Sequence, residues 1–246
     1  MSSRTALVYG SAQGIGNACA RKLCDQGYSV MLADINAEKV SAAADRLVKE
    51  GYRAASFAVN VANLQEIENA SKATFDTFGS LDVVVHCVGI LYTTSVEDTT
   101  LEQWDKVMSV NLRSAFFAVQ KALPYLKQGT DPRVVFIASI AGLMGGFNVS
   151  MSYSASKGGM LALAKGLSRQ LAPYNITVNC VSPSTVNGEM AKAYTPEVME
   201  LQKSRSFLHR IAEPEEIAAA VCFLASGEAS FITGATIDVN GGTYIR

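Results

Sequence analysis

Gly10-Ser11-Ala12-Gln13-Gly14-Ile15-Gly16 follows a short apolar run at 6–9 and leads straight into a stretch of helical periodicity. Glycines here permit a tight strand-to-helix turn, let backbone approach a pyrophosphate, and allow the helix to pack closely on its strand. The helix start also offers unpaired N–H groups and a partial positive charge, so the turn suits an anion. The spacing is GxxxGxG rather than GxGxxG, and alone it fits a plain βα turn as well. The rest of the chain decides between the two.

Further β-branched apolar runs lie at 29–33, 54–59, 83–87, 134–138, 176–181 and 236–239, with longer helical stretches between them. Strands apolar on both faces that alternate with helices predict a parallel sheet covered on both sides, a doubly wound α/β fold of seven strands. Ligands bind beyond the carboxyl ends of such strands, so chemistry is expected just after each run. The segment 184–210 lacks a clear strand and precedes a helix opened by Glu213-Pro214-Glu215-Glu216; it reads as a lid over a substrate site. No shift in composition divides the chain, so residues 1–246 are read as one domain.

Hydrophobic residues make up 49% of the chain and charged residues 17%, enough for a sizeable core and unlike a disordered chain. A net charge of −1 with scattered Lys and Arg leaves no footprint for nucleic acid or an anionic membrane. Small molecules are the expected partners. The opening Met1-Ser2-Ser3-Arg4-Thr5 leaves no room for a signal peptide and no apolar run reaches membrane-spanning length, so a cytoplasmic location is expected. The five cysteines lack metal-ligand spacing and mostly sit in apolar runs, so neither disulfides nor a metal are expected.

Asp34 directly follows the second run, where a carboxylate can accept hydrogen bonds from adenosine ribose hydroxyls or, alternatively, cap the next helix. Such a carboxylate repels a 2′-phosphate, and neither Ser11-Ala12-Gln13 nor Ile35-Asn36 supplies a cation to bind one, although Lys39 is near. NAD(H) is therefore the expected cofactor and NADP(H) the less favoured one. Asn60-Val61 ends the third run; Asn60 can meet the adenine edge or form an Asx turn. In His86-Cys87-Val88-Gly89, Gly89 lets backbone pass close to a cofactor, while His86 reads as a core histidine.

Tyr153 and Lys157 are four apart in a helical stretch and share a face. An adjacent ammonium favours the phenolate and is expected to pull the phenol below its usual ~10 towards the working range of a proton carrier. Ser139 stands just beyond the fifth run, placed to hydrogen-bond a substrate oxygen. Asn111 is polar amid apolar neighbours in the helix expected over 101–126; a packing hydrogen bond and a functional role fit it equally.

Together with Asn179-x-x-x-Pro183 and Asp238-Val239-Asn240-Gly241-Gly242, these residues resemble the short-chain dehydrogenase/reductase family, in order and along essentially the whole chain. The tail and Ser-Phe-Ile-Thr-Gly at 230–234 also resemble its 3-oxoacyl-acyl-carrier-protein reductase branch. The resemblance implies a Rossmann-type domain and an oxidoreductase that interconverts a secondary alcohol and a ketone. It implies Tyr153 as acid/base, Ser139 orienting the substrate oxygen, Lys157 on the nicotinamide ribose, and Asn111 holding a proton-relaying water. Cofactor contacts are implied for Gly10, Ser11, Ala12, Gln13, Gly14, Ile15, Gly16, Asp34, Asn60, Val61, Cys87, Gly89, Tyr153, Lys157, Pro183 and Val186.

The chain departs from the family pattern at His86-Cys87-Val88, where Asn-Asn-Ala is usual, and at Ser184 and Gly188, which predicts a less ordered pocket over the nicotinamide. An NAD(H)-linked sugar, polyol or hydroxyacid dehydrogenase is the main reading, with an NADPH-dependent 3-oxoacyl-acyl-carrier-protein reductase as the alternative. A non-catalytic NAD(H) sensor is the alternative of another class, disfavoured because Tyr153 and Lys157 are both kept. The family resemblance also implies a homotetramer. The apolar residues Leu112, Ala115, Phe116, Val119, Leu123, Leu126, Met160, Leu161, Leu163, Ala164 and Leu167 are read as covering more helix surface than one sheet-facing stripe needs.

Overall fold

Each of the seven apolar runs becomes a strand because cover is available on both faces. The computed structural model describes residues 4–246, so the reading of Met1-Ser2-Ser3 lies outside the described residues. Strands β1 (Thr5–Tyr9), β2 (Ser29–Asp34), β3 (Ala54–Ala58), β4 (Val83–His86), β5 (Arg133–Ile137), β6 (Thr177–Pro183) and β7 (Thr236–Val239) form one parallel sheet in the order β3-β2-β1-β4-β5-β6-β7. Along β1 the side chains alternate between two cores. Ala6 and Val8 pack under α1 (Gly14–Asp25), α2 (Ala37–Lys49) and α9 (Pro214–Ala225). Leu7 and Tyr9 pack under α3 (Leu64–Phe78), α5 (Ser114–Leu126) and α7 (Met151–Leu171). A fully buried leucine such as Leu7 or Leu32 contributes roughly 1.5–3 kcal/mol, so register is strongly fixed. This is the Rossmann-like doubly wound fold the alternating runs predict.

Three local features differ from the sequence reading. The helix expected over 101–126 is α4 (Leu101–Val107), a π-helical turn (Met108–Arg113) and then α5. The wider turn rolls Asn111 fully inward. The segment 184–210 is more ordered than a lid without regular structure. It contains α8 (Pro196–Arg205), capped by the Thr195 hydroxyl, and Val186 pairs with Ala212 in an isolated parallel bridge. That bridge anchors the chain beyond Ser184 and runs counter to the expected loss of order there. Finally, Ala115, Val119, Leu126, Met160, Leu161, Ala164 and Leu167 are all buried within this chain's own core. The supposed apolar excess is therefore mostly core, and only Phe116 of the named residues is exposed.

Candidate active site

The strand order reverses at β1, whose neighbours are β2 and β4, and a crevice opens there at the carboxyl ends of the strands. It is an open cleft of about 380 Å³, running from Asp34, Gly10 and Gly16 to Tyr153, Lys157 and the segment 183–191. That lies within the roughly 300–1,000 Å³ of a small-molecule site.

At one end backbone forms the wall. Gly10 has a positive φ of 76°, and a Cβ there would stand 3.0 Å from Val88 N. A Cβ on Gly16 would lie 2.1 Å from the Gly10 carbonyl oxygen, so only glycine lets α1 come this close to its strand. Helices α2, α3, α4, α7 and α8 open on a side chain that accepts from their first N–H groups; α1, preceded by Gln13, does not. Its unpaired N–H groups and the adjacent glycines form a cradle that fits a pyrophosphate. Asp34 lines the cleft, its carboxylate oriented by the Ala12 N–H at 3.0 Å and the Asn36 N–H at 3.0 Å.

At the other end Ser139, just past β5, lines the cleft together with Tyr153 and accepts the Ala141 N–H at 3.1 Å. Tyr153 and Lys157 project from the first turns of α7, whose N-cap Ser150 accepts the Tyr153 N–H. Lys157 is buried and donates to the Ile137 carbonyl at 2.6 Å, with its Nζ 5.8 Å from the Tyr153 ring centre. Burial lowers its pKa from 10.5 to about 8. The expected lowering of the phenol does not occur in this arrangement. Burial pushes Tyr153 up to about 12, with Ser139 opposing, while the Lys157 ammonium donates to Ile137. In the protein alone the phenol holds its proton.

The chain that carries this glycine cradle and Ser–Tyr–Lys cluster is similar to known proteins over nearly its whole length. A family model described as enoyl-(acyl carrier protein) reductase matches residues 10–244. A 3-oxoacyl-[acyl-carrier-protein] reductase, FabG, of Staphylococcus aureus is 34% identical, covering 99% of both chains. The chain belongs to the short-chain dehydrogenase/reductase family. A solved dehydrogenase/reductase from Sinorhizobium meliloti superposes with a TM-score of 0.93 at 35% identity, covering 100% of this chain and 96% of that one. A Brucella melitensis structure described as a short-chain dehydrogenase/reductase, glucose/ribitol dehydrogenase, gives 0.94 at 32% identity, covering 100% and 98%. The protein is thus a nicotinamide-dependent oxidoreductase of this family.

Within that family frame, Gly10, Gln13, Gly14, Ile15, Gly16, Asp34, Cys87, Gly89, Ser139, Tyr153, Lys157, Pro183 and Val186 line the cleft. Four of the expected contacts stand elsewhere. The Ser11 hydroxyl is buried against β2, accepting the Ala33 N–H at 2.9 Å, and the buried Ala12 serves through its N–H to Asp34. Asn60 forms the Asx turn, accepting the Ala62 N–H at 3.0 Å, and Val61 is buried under the sheet. The Asn111 side chain is spent on packing: it donates to the Ile90 carbonyl at 2.9 Å and Ser156 Oγ at 3.1 Å, and accepts the Ile90 N–H at 2.8 Å. It therefore fixes the loop after Gly89 and the turn carrying Lys157, and its side-chain amide has no donor left for a relay water. His86 is buried, bonded to the Ser114 hydroxyl at 2.8 Å, and desolvation lowers its pKa to about 3; it stays neutral.

Sequence reasoning did not single out Phe147, Met190, Tyr194 or Gln202, which form the substrate end of the cleft. Only the Gln202 position, buried on a helix of otherwise polar and apolar mixture, carries a signal, and it is legible only once α8 is known.

Proposed function

We propose that the protein reduces the ketone of a 3-oxoacyl thioester to a secondary alcohol, and catalyses the reverse oxidation, with NAD(H) as its cofactor. One observation carries the reaction: Ser139, Tyr153 and Lys157 line the same cleft as the uncapped α1 start and Asp34. The bound nicotinamide supplies or accepts the hydride. Ser139 donates to the substrate oxygen and holds it beside Tyr153. In reduction Tyr153 gives its phenol proton to that oxygen as the alcohol forms, and in oxidation it takes the proton back. Lys157 as the ammonium stabilises the phenolate left behind.

The relative named as a 3-oxoacyl-[acyl-carrier-protein] reductase supports the thioester over a sugar or polyol. The glucose/ribitol dehydrogenase likeness supports a polyol as the second reading. Asp34 supports NAD(H), because its oriented carboxylate accepts ribose hydroxyls and repels a 2′-phosphate. Lys39, the cation nearest in sequence, is held at 3.2 Å by the Gln13 side chain. Assay of an acetoacetyl thioester against a polyol panel, each with NAD(H) and NADP(H), tests the reading. Efficient thioester reduction with NADH agrees with it; turnover of polyols alone, or equal use of both cofactors, counts against it. We also propose a homotetramer in the cytoplasm, built on the exposed Leu101, Trp104, Phe116 and Met151. A monomer by light scattering that retains full activity argues against that assembly.

A further inference from the structure

Helix α8 buries a single residue, and that residue is polar. Gln202 is 8% exposed and lines the cleft with Phe147, Met190 and Tyr194, while no apolar residue of the helix is buried. Among the described residues no group hydrogen-bonds its side-chain amide. Asn187 and Glu189, polar neighbours in the cleft wall, are engaged: Asn187 donates to the Glu213 carboxylate at 3.0 Å and Glu189 pairs with Lys192. One helical turn beyond Gln202, Arg205 lays its guanidinium over the Phe147 ring, Cζ 3.7 Å from the ring centre. The stack ties the end of α8 to the segment before α7 and fixes the helix face that carries Gln202. An open cleft lets solvent satisfy such an amide, and a substrate that fills the cleft must supply a partner or leave it unpaired. A site of this kind rejects the analogue that lacks the matching group.

We propose that Gln202 is a specificity-determining residue whose side-chain N–H donates to the thioester carbonyl of the 3-oxoacyl substrate. The assignment rests on the function proposed above. In that substrate one methylene separates the ketone from the thioester carbonyl. With the ketone oxygen at Ser139 and Tyr153, the second carbonyl is the acceptor that Gln202 meets from the α8 side of the cleft. A carbonyl oxygen only accepts, so the amide N–H makes the contact. A simple ketone offers no acceptor there and leaves the amide unpaired. Selection then acts on the group beside the reacting ketone rather than on the ketone itself.

The test compares two substrates of one length: the acetoacetyl thioester of N-acetylcysteamine, and the thioether ketone in which a methylene replaces its thioester carbonyl. The carbonyl also changes how readily the ketone is reduced. The kcat/KM ratio of thioester to thioether is therefore measured in both the parent protein and Gln202→Met, and that chemical difference cancels between them. The ratio should fall about fivefold in Gln202→Met. Its Tm without substrate should fall by no more than about 2 °C, because the amide has no protein partner to lose. Gln202→Glu keeps the size of the side chain but sets an anionic acceptor against the carbonyl, so its ratio should fall at least as far. A ratio unchanged in both variants, with the thioester still reduced, overturns this assignment alone. A larger fall in Tm for Gln202→Met shows a structural amide and also overturns it. A parent protein that reduces neither ketone overturns the function proposed above, and this assignment with it.

Discussion

At the dinucleotide end of the cleft the shape is set by what is missing: no Cβ on Gly10 or Gly16 and no side-chain cap on α1. At the substrate end it is set by side chains from separate segments, Phe147, Met190, Tyr194 and Gln202 among them, held by a loop, a short 3₁₀ region and α8. A backbone cradle tolerates almost no change of residue type. A wall of side chains accepts many residues of similar volume, so one fold can keep its cofactor end and vary its substrate end.

The largest effect that separates the two ends is expected from Gly16→Ala. The new methyl must displace the Gly10 carbonyl, so NADH binding should fall about a hundredfold or more by fluorescence titration, with a lowered Tm. Near-normal NADH affinity would show that the tight α1–β1 approach is not what holds the pyrophosphate. Asp34→Ser should come next. Removing the carboxylate should shift the NADH-to-NADPH ratio of kcat/KM by about tenfold towards NADPH, because a charge-assisted hydrogen bond contributes roughly 1.5–3 kcal/mol. An unchanged ratio would place cofactor choice elsewhere, with Lys39 the first residue to examine.

A pH profile sharpens the contrast at the catalytic end. Lys157 is charged below its lowered pKa of about 8 and neutral above it. Turnover that needs the ammonium should be full below that pH and fall about tenfold per unit above it. Activity that keeps rising well past pH 9 would mean the phenol, rather than the ammonium, governs the profile. The smallest effect is expected from Gln202→Leu. Similar in volume but unable to hydrogen-bond, it should change the ketone KM by a few-fold, about 1 kcal/mol, and leave the NADH KM unaltered. A parallel change in both constants would mean that the substrate end and the dinucleotide end are not independent.

The same contrast explains what the sequence revealed. Strand-forming runs and the glycine turn are constraints on backbone, and these are written in residue type, so the sheet and the cradle were legible within a residue or two at most strand ends. The Tyr153–Lys157 spacing and Ser139 beyond β5 were legible because helix period and strand end both fix direction. Asn111 was not, because a π-helical turn has no propensity signature and turns the residue into the core. Asn60 and Ser11 each accept a hydrogen bond from a local backbone N–H, and neither lines the cleft. Helix α8 was missed because Glu197, Glu200 and Lys203 interrupt Val198, Met199 and Leu201 and leave no apolar stripe, although Thr195-Pro196 marks its start. Lys157 was expected to act on the Tyr153 phenol directly, and no sequence rule shows that the Ile137 carbonyl would claim its ammonium.

The most direct test of the central claim is Tyr153→Phe, which removes only the hydroxyl that shares the cleft with Ser139. NADH consumption with an acetoacetyl thioester should fall about a hundredfold or more, while the NADH Kd stays within about twofold of the parent protein. Turnover above about a tenth of the parent rate, with NADH affinity intact, would show that the proton is carried by another group.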